Sequence, residues 1–171
     1  MKMRIIVSSL FYLYFLFTPI EPVADTFRHN VGDIPPDYLG FDSSGDKVLV
    51  SDNKGKIVVV TFWATWCPPC LKELPVLERL QRRLGPDLIR VIAVNHRESK
   101  KKFRLIKKAF NGSPITLTYD RGNRISKKYG VEAIPHLIII GKDGRISYQA
   151  RGYGESSIDM LVEKINQHLQ T

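Results

Sequence analysis

Cysteine is scarce in this chain: there are two in 171 residues, and both fall in one tetrapeptide, Cys67-Pro68-Pro69-Cys70. None is left over to staple a scaffold, so a small disulfide-rich domain is excluded and the pair reads as chemistry. No second CxxC stands at metal-ligand spacing, which argues against a zinc site. No metal and no other cofactor is expected. Acidic residues are in the minority, 17 against 26 lysines and arginines, giving a formal net charge of +9. Such a balance admits nucleic acid, anionic membrane surfaces or acidic partners. No nucleic-acid-reading motif accompanies it, so nucleic acid is not an expected partner. Internal repeats are absent. Apolar residues make up 43% and charged residues 25%, which excludes a disordered chain. The length suits one domain whose core forms without staples.

Long apolar runs are missing too, except at the start. Lys2 and Arg4 precede an apolar run over residues 5–17, broken only by Ser8 and Ser9, and Thr18, Pro19, Ile20, Glu21 and Pro22 follow. This is the pattern of an export signal. Cleavage after Ala24 is one fate, although Pro22 fits the −3 position poorly. Retention as a membrane anchor is the other; residues 5–20 as a helix reach about 24 Å against a hydrocarbon core of about 30 Å. Both fates put the rest of the chain outside the cytoplasm. The expected location is therefore the periplasm, soluble or held at the inner membrane. Residues 1–24 form the targeting segment, 25–36 a polar, proline-bearing linker, and 37–171 the folded domain.

Within that domain, residues 38–41 and 47–50 flank Asp42-Ser43-Ser44-Gly45-Asp46 and read as a hairpin. Residues 57–63 are a continuous apolar run, fitting a strand buried on both faces. Residues 68–84 read as a helix with Pro68 and Pro69 in its first turn, where no N–H is needed. Leu71, Leu74, Leu77, Leu80 and Leu84 form its apolar stripe, Pro75 should kink it, and Gly85-Pro86 stops it. Strands follow at 88–95 and 115–119, with a helix at 99–110 between them and a short one at 124–129. A hairpin of 136–140 and 145–150 turns at Gly141-Lys142-Asp143-Gly144. Ser156 or Ser157 caps a last helix that turns Ile158, Leu161 or Val162, Ile165 and Leu169 inward. Alternating helices and apolar strands imply an α/β domain: a mixed central sheet with helices on both faces.

The CxxC follows a buried strand and opens a helix. Two intervening residues on a first helical turn bring the sulfurs within bonding reach. Cys67, at the helix N-terminus, is favoured as a thiolate and is the expected attacking sulfur; Cys70, one turn in, resolves the mixed disulfide. Pro68 and Pro69 lack N–H groups to give that thiolate. They tune the pair toward handing electrons out, so a reductase is expected. Glu73, one turn beyond Cys70, is either a buried proton carrier or a solvated helix-face residue. Pro135 has no N–H for a ladder, and the backbone of Ile134 is free to pair with an extended substrate. An ordinary trans turn is the alternative there. His136 either lines the substrate groove or begins the strand facing solvent. His29, His96 and His168 have no partners legible in the sequence. Residues 100–108 make a strongly basic helix face, fit for anionic lipid, an acidic partner, or simply water.

The stretch Thr61-Phe62-Trp63-Ala64-Thr65-Trp66-Cys67-Pro68-Pro69-Cys70-Leu71-Lys72-Glu73-Leu74-Pro75 resembles the thioredoxin superfamily, in particular its exported TlpA/ResA-like branch. The likeness extends from about residue 37 to 169 and includes Tyr129-Gly130-Val131-Glu132-Ala133-Ile134-Pro135. It implies a thioredoxin-like three-layer sandwich with an N-terminal hairpin and a cis proline at 135 facing the cysteines. It also implies substrate contacts at Trp66, Ile134 and Pro135 and a proton-handling acid at Glu73, whereas His136 stands where the family usually has threonine. Classical thioredoxins carry an aspartate at the position held here by Thr61, so Thr61 with Glu73 favours the branch named. The resemblance implies a disulfide reductase of exported proteins, with apocytochrome c as the foremost substrate and a membrane thiol transporter as electron donor. General disulfide reduction or isomerisation is the alternative, and a non-catalytic binding module on the same scaffold is a third. A monomer is the expected state.

Overall fold

The computed structural model describes residues 28–170. The expected signal or anchor and the first residues of the expected linker lie outside the described residues. The element order is β1 (Tyr38–Phe41), β2 (Lys47–Leu49), β3 (Ile57–Trp63), α1 (Pro68–Leu84), β4 (Ile89–Asn95), α2 (Lys100–Ala109), β5 (Thr116–Tyr119), α3 (Arg124–Tyr129), β6 (His136–Ile140), β7 (Ile146–Arg151) and α4 (Glu155–Leu169). β1 and β2 form a separate antiparallel hairpin, and the other strands form one sheet in the order β5-β4-β3-β6-β7. β3, β4 and β5 run parallel, while β6 and β7 are antiparallel additions. This mixed sheet with helices on both faces is the thioredoxin-like sandwich.

The period of two in the central strands divides the core. Ile57, Val59 and Trp63 point to the face covered by α1, α2 and α4, where Leu74, Leu77, Phe103, Leu161 and Ile165 meet them. Val58, Val60 and Phe62 point to the other face, closed by Leu39 of the hairpin and by Ile125 and Tyr129 of α3. β3 is buried at every residue. Its β-branched side chains suit a pleated surface with no solvent side.

α1 begins where Pro68 and Pro69 fill its first two positions, runs on through Pro75, and ends at Gly85 with φ 80°. That left-handed value favours glycine over any residue with a Cβ. Leu71 does not belong to the buried stripe: it is 46% exposed. At α4 the N-cap is Gly154, not a serine. Ser157, three residues in, instead accepts from the Gly154 N–H through its hydroxyl at 2.8 Å. Of Leu161 and Val162, Leu161 takes the buried side with Ile165, and Val162 faces outward.

Residues 28–36, expected as linker, are bonded to the domain. The Gly32 N–H donates to the Ile146 carbonyl at 2.7 Å and the Ile146 N–H to that of Asp33 at 2.9 Å. Arg28 Nη1 reaches the Lys127 carbonyl at 2.7 Å, and Gln149 Nε2 reaches that of His29 at 2.6 Å. The lead-in thus runs along β7 and across to α3.

Candidate active site

Cys67 sits between strand β3 and helix α1 as the N-cap of the helix. Its sulfur is joined to that of Cys70 in a disulfide, with the Cα atoms 5.3 Å apart. The Cys70 N–H points at the Cys67 sulfur over 3.3 Å. Pro68 and Pro69 supply no such group, so that one amide is the donor the helix end offers. Cys70 is fully enclosed, while Cys67 keeps 4% of its surface. The Cys67 sulfur is thus the one a partner meets first. Beside it, Trp66 is 54% exposed.

The peptide joining Ile134 to Pro135 is cis. It brings the Ile134 carbonyl oxygen to 3.7 Å from the Cys67 sulfur, so the trans-turn alternative is not what the chain adopts. The Pro135 carbonyl accepts from the Gly152 N–H at 2.8 Å, which fixes the loop to the end of β7. Cys67, Cys70, Ile134 and Pro135 are therefore one cluster, with Trp66 at its rim.

Glu73 is buried between α1 and the sheet, with 4% exposed. Thr61, on the same face of β3 as Val59 and Trp63, donates its hydroxyl to Glu73 Oε2 at 2.6 Å. Burial raises the carboxyl to about 7, and the Thr61 bond offsets only part of that. The solvated-face reading of Glu73 is therefore excluded. A narrow crevice bordered by Val76, Leu137, Tyr153, Ser157 and Leu161 opens onto it.

His136 belongs elsewhere. It is fully buried, which rules out the solvent-facing reading. Its ring packs near Phe62, with centroids 6.1 Å apart. Leu137 and Ile139 face α1, so His136, offset by one residue, lies on the opposite side of the sheet with Ile138 and Ile140. Its side chain does not join the cysteine cluster.

Glu98 carries no motif in the sequence, yet it braces the cysteine loop. Its carboxylate accepts from the Thr65 N–H at 3.1 Å, the Thr65 hydroxyl, and Asn95 Nδ2 at 2.6 Å. Lys102 Nζ lies 3.2 Å away, and the Glu98 side chain is 2% exposed. Burial alone would raise this carboxyl, but the bonds from Asn95, Thr65 and Lys102 outweigh it and hold it below the usual range. The clue in the sequence is position: an acid in the loop after β4, beside the loop that carries the motif. His96 has partners too. Its N–H donates to the Trp63 carbonyl at 2.8 Å, and its Nδ1 lies 2.6 Å from Ser126 Oγ. That hydroxyl bonds onward to Asp120. His29 Nε2 meets the Lys128 carbonyl at 2.8 Å. These contacts tie loops to α3 and take no part in the cysteine cluster.

A dithiol so placed can attack an external disulfide, resolve the adduct internally, and be regenerated by another dithiol. A family model described as Redoxin matches residues 30–165. The thiol-disulfide oxidoreductase ResA of Bacillus thuringiensis subsp. konkukian is 31% identical over 136 residues, covering 80% of this chain and 77% of its own. That of Geobacillus thermodenitrificans is 30% identical over 141 residues, covering 82% and 77%. Among solved structures, a candidate thiol:disulfide interchange protein DsbE from Chlorobium tepidum superposes with a TM-score of 0.71 at 27% identity, covering 82% of this chain and 98% of its own.

Proposed function

Because this chain belongs to the Redoxin family and is a ResA-like thiol–disulfide oxidoreductase of the thioredoxin superfamily, we propose that it works outside the cytoplasm as a reductase of disulfides in exported proteins. The observation that carries the reading is the Cys67 sulfur at the mouth of α1, facing the cis peptide before Pro135. In the reduced enzyme the Cys67 thiolate attacks one sulfur of a substrate disulfide. A mixed disulfide forms and the first substrate thiolate leaves. Cys70 then loses its proton to the Glu73 carboxylate and attacks the Cys67 sulfur. The second substrate thiolate leaves, and the Cys67–Cys70 disulfide remains. Two electrons have passed to the substrate, whose thiolates take protons from water. Glu73 returns its proton by way of the crevice beside Tyr153.

The direction follows from what surrounds the attacking sulfur. One N–H faces it, two prolines withhold theirs, and the Ile134 carbonyl oxygen lies 3.7 Å away. A carbonyl's negative end disfavours a thiolate, so the reduced pair is a better donor of electrons than one with a strongly stabilised thiolate. Trp66 and the backbone of Ile134 and Pro135 form the substrate platform, an extended segment pairing beside the cis peptide. The export pattern at the N-terminus supports the location, either free in the periplasm or anchored. A membrane dithiol transporter is the proposed electron donor, and apocytochrome c, whose cysteines must be reduced to receive haem, the proposed substrate.

A redox titration of the folded domain against glutathione tests the direction: a midpoint below about −180 mV is expected, and one near −120 mV makes it an oxidant. Reduction of an apocytochrome c peptide disulfide faster than that of insulin supports the substrate. Equal rates favour the general reductase.

A further inference from the structure

A cavity of about 580 Å3 opens between the β1–β2 hairpin, α2 and the C-terminal end of β5, and the cysteine chemistry makes no use of it. Its walls are aromatic: Tyr38, Phe41, Phe103 and Tyr119 line it. Phe103 and Tyr119 stack with centroids 5.3 Å apart, and Tyr38 meets Phe41 edge-on at 5.9 Å. Phe41 is 53% exposed. A surface of this kind is built to take an apolar or aromatic group.

Its rim is cationic. Lys100, Arg104 and Lys107 come from α2, and Arg121 and Arg124 from the chain after β5. Among the described residues none of these five has a carboxylate at ion-pair distance. The two acids that border the cavity are already engaged. Asp42 accepts from the N–H groups of Ser44, Gly45 and Asp46, and Asp120 from those of Ile125 and Ser126. Lys100, Arg104 and Lys107 are strung along about 10 Å of helix. That is the length of about three residues of extended chain. Such spacing suits successive carboxylates, not a single phosphate, and the aromatic wall behind the rim is concave, unlike a surface made to lie on a bilayer.

We propose that this cavity is an exosite for an acidic peptide segment carrying an apolar or aromatic side chain, belonging to the disulfide-bearing protein that Cys67 attacks. The proposal rests on the oxidoreductase reading above and adds how the substrate is chosen. The two sites stand at the same end of the sheet. The Tyr119 hydroxyl donates to the Glu98 carbonyl at 3.0 Å, and the Glu98 carboxylate holds Thr65, two residues before Cys67. One substrate chain passing that end meets both.

The test uses a fluorescein-labelled peptide of Asp and Glu around a central Phe, with two controls: the acids changed to Gln, and the Phe changed to Ala. Fluorescence anisotropy should give the parent peptide about tenfold tighter binding than either control. Arg104→Glu/Arg124→Glu should remove that advantage, and so should Lys100→Glu/Arg121→Glu, with unchanged thermal melts confirming folded protein. Both pairs lie outside the cysteine site, so turnover of a small uncharged aliphatic disulfide should stay within about twofold. A peptide disulfide extended by the acidic segment should show a KM about fivefold lower than the bare one, and only in the wild type. Equal binding of all three peptides overturns the proposal. So does an effect of acids without any effect of Phe, which marks a diffuse field. Charge-reversal variants that lose binding to phosphatidylglycerol vesicles but not to the peptide would assign the surface to membrane instead. Failure of every disulfide to turn over in the wild type sinks the reductase reading, and the peptide-binding arm is still decided on its own.

Discussion

Thr61 donates its hydroxyl to the Glu73 carboxylate across 2.6 Å, joining the central strand to the cysteine-bearing helix inside the core. The folded carboxyl holds its proton up to about 7 against an ordinary 4.5. The unfolded chain releases that proton at lower pH, so the stability it confers is full below about 4.5 and lost as pH rises through about 7. Glu73→Gln keeps a partner for Thr61 and removes the ionisation. At pH about 8 the variant should be more stable than the parent by up to about 3 kcal/mol, with no difference near pH 4. Urea melts at both pH values check this.

The same substitution should slow resolution of the mixed disulfide on the order of tenfold to a hundredfold. The wild-type rate of that step should rise with an apparent pKa near 7, and the variant should lose that limb. Single-turnover kinetics across pH read the difference. An unchanged profile removes Glu73 from proton transfer.

Cys67→Ser should abolish reduction of insulin. Cys70→Ser should instead stop after the first exchange and accumulate a mixed disulfide, visible as a mass adduct. Adduct on the other cysteine would reverse the roles assigned to the two sulfurs.

Replacing Pro68 and Pro69 by alanine adds two N–H groups to the first turn of α1. The Cys67 thiolate should gain about 1.4 kcal/mol, and the midpoint potential should rise by about 30 mV. Thiol absorbance against pH and the glutathione titration measure both.

Glu98→Ala strips the acceptor from the Thr65 N–H and from Asn95 Nδ2. Leaving such donors buried costs about 1–3 kcal/mol. The native carboxyl titrates below its usual range, so the wild type should lose this stabilisation as pH falls from about 4.5, and the variant should not. Thermal melts between pH 3 and 7 decide it.

The strands and helices around the cysteines are legible in the sequence because local patterns decide them. The run at residues 57–63 admits no solvent face, and paired prolines at 68 and 69 fit a helix start, where no N–H is needed. Glu98 is legible only as an acid in the loop after β4; its bonds to Thr65, Asn95 and Lys102 come from tertiary packing that no local pattern announces. His136 turns on a register of one residue: with Leu137 facing α1, its neighbour must face away. The composition of residues 28–36 resembles a tether, but the partners of its backbone lie more than a hundred residues away at Ile146.

That pairing has a consequence for the free protein. β7 closes one side of the sheet, and an uncovered strand there offers a template on which another molecule can build. The segment around Gly32 and Asp33 occupies part of that template from within the same chain. A shortened protein beginning at residue 37 should expose more of that rim and stack copies edge to edge more readily than the full chain.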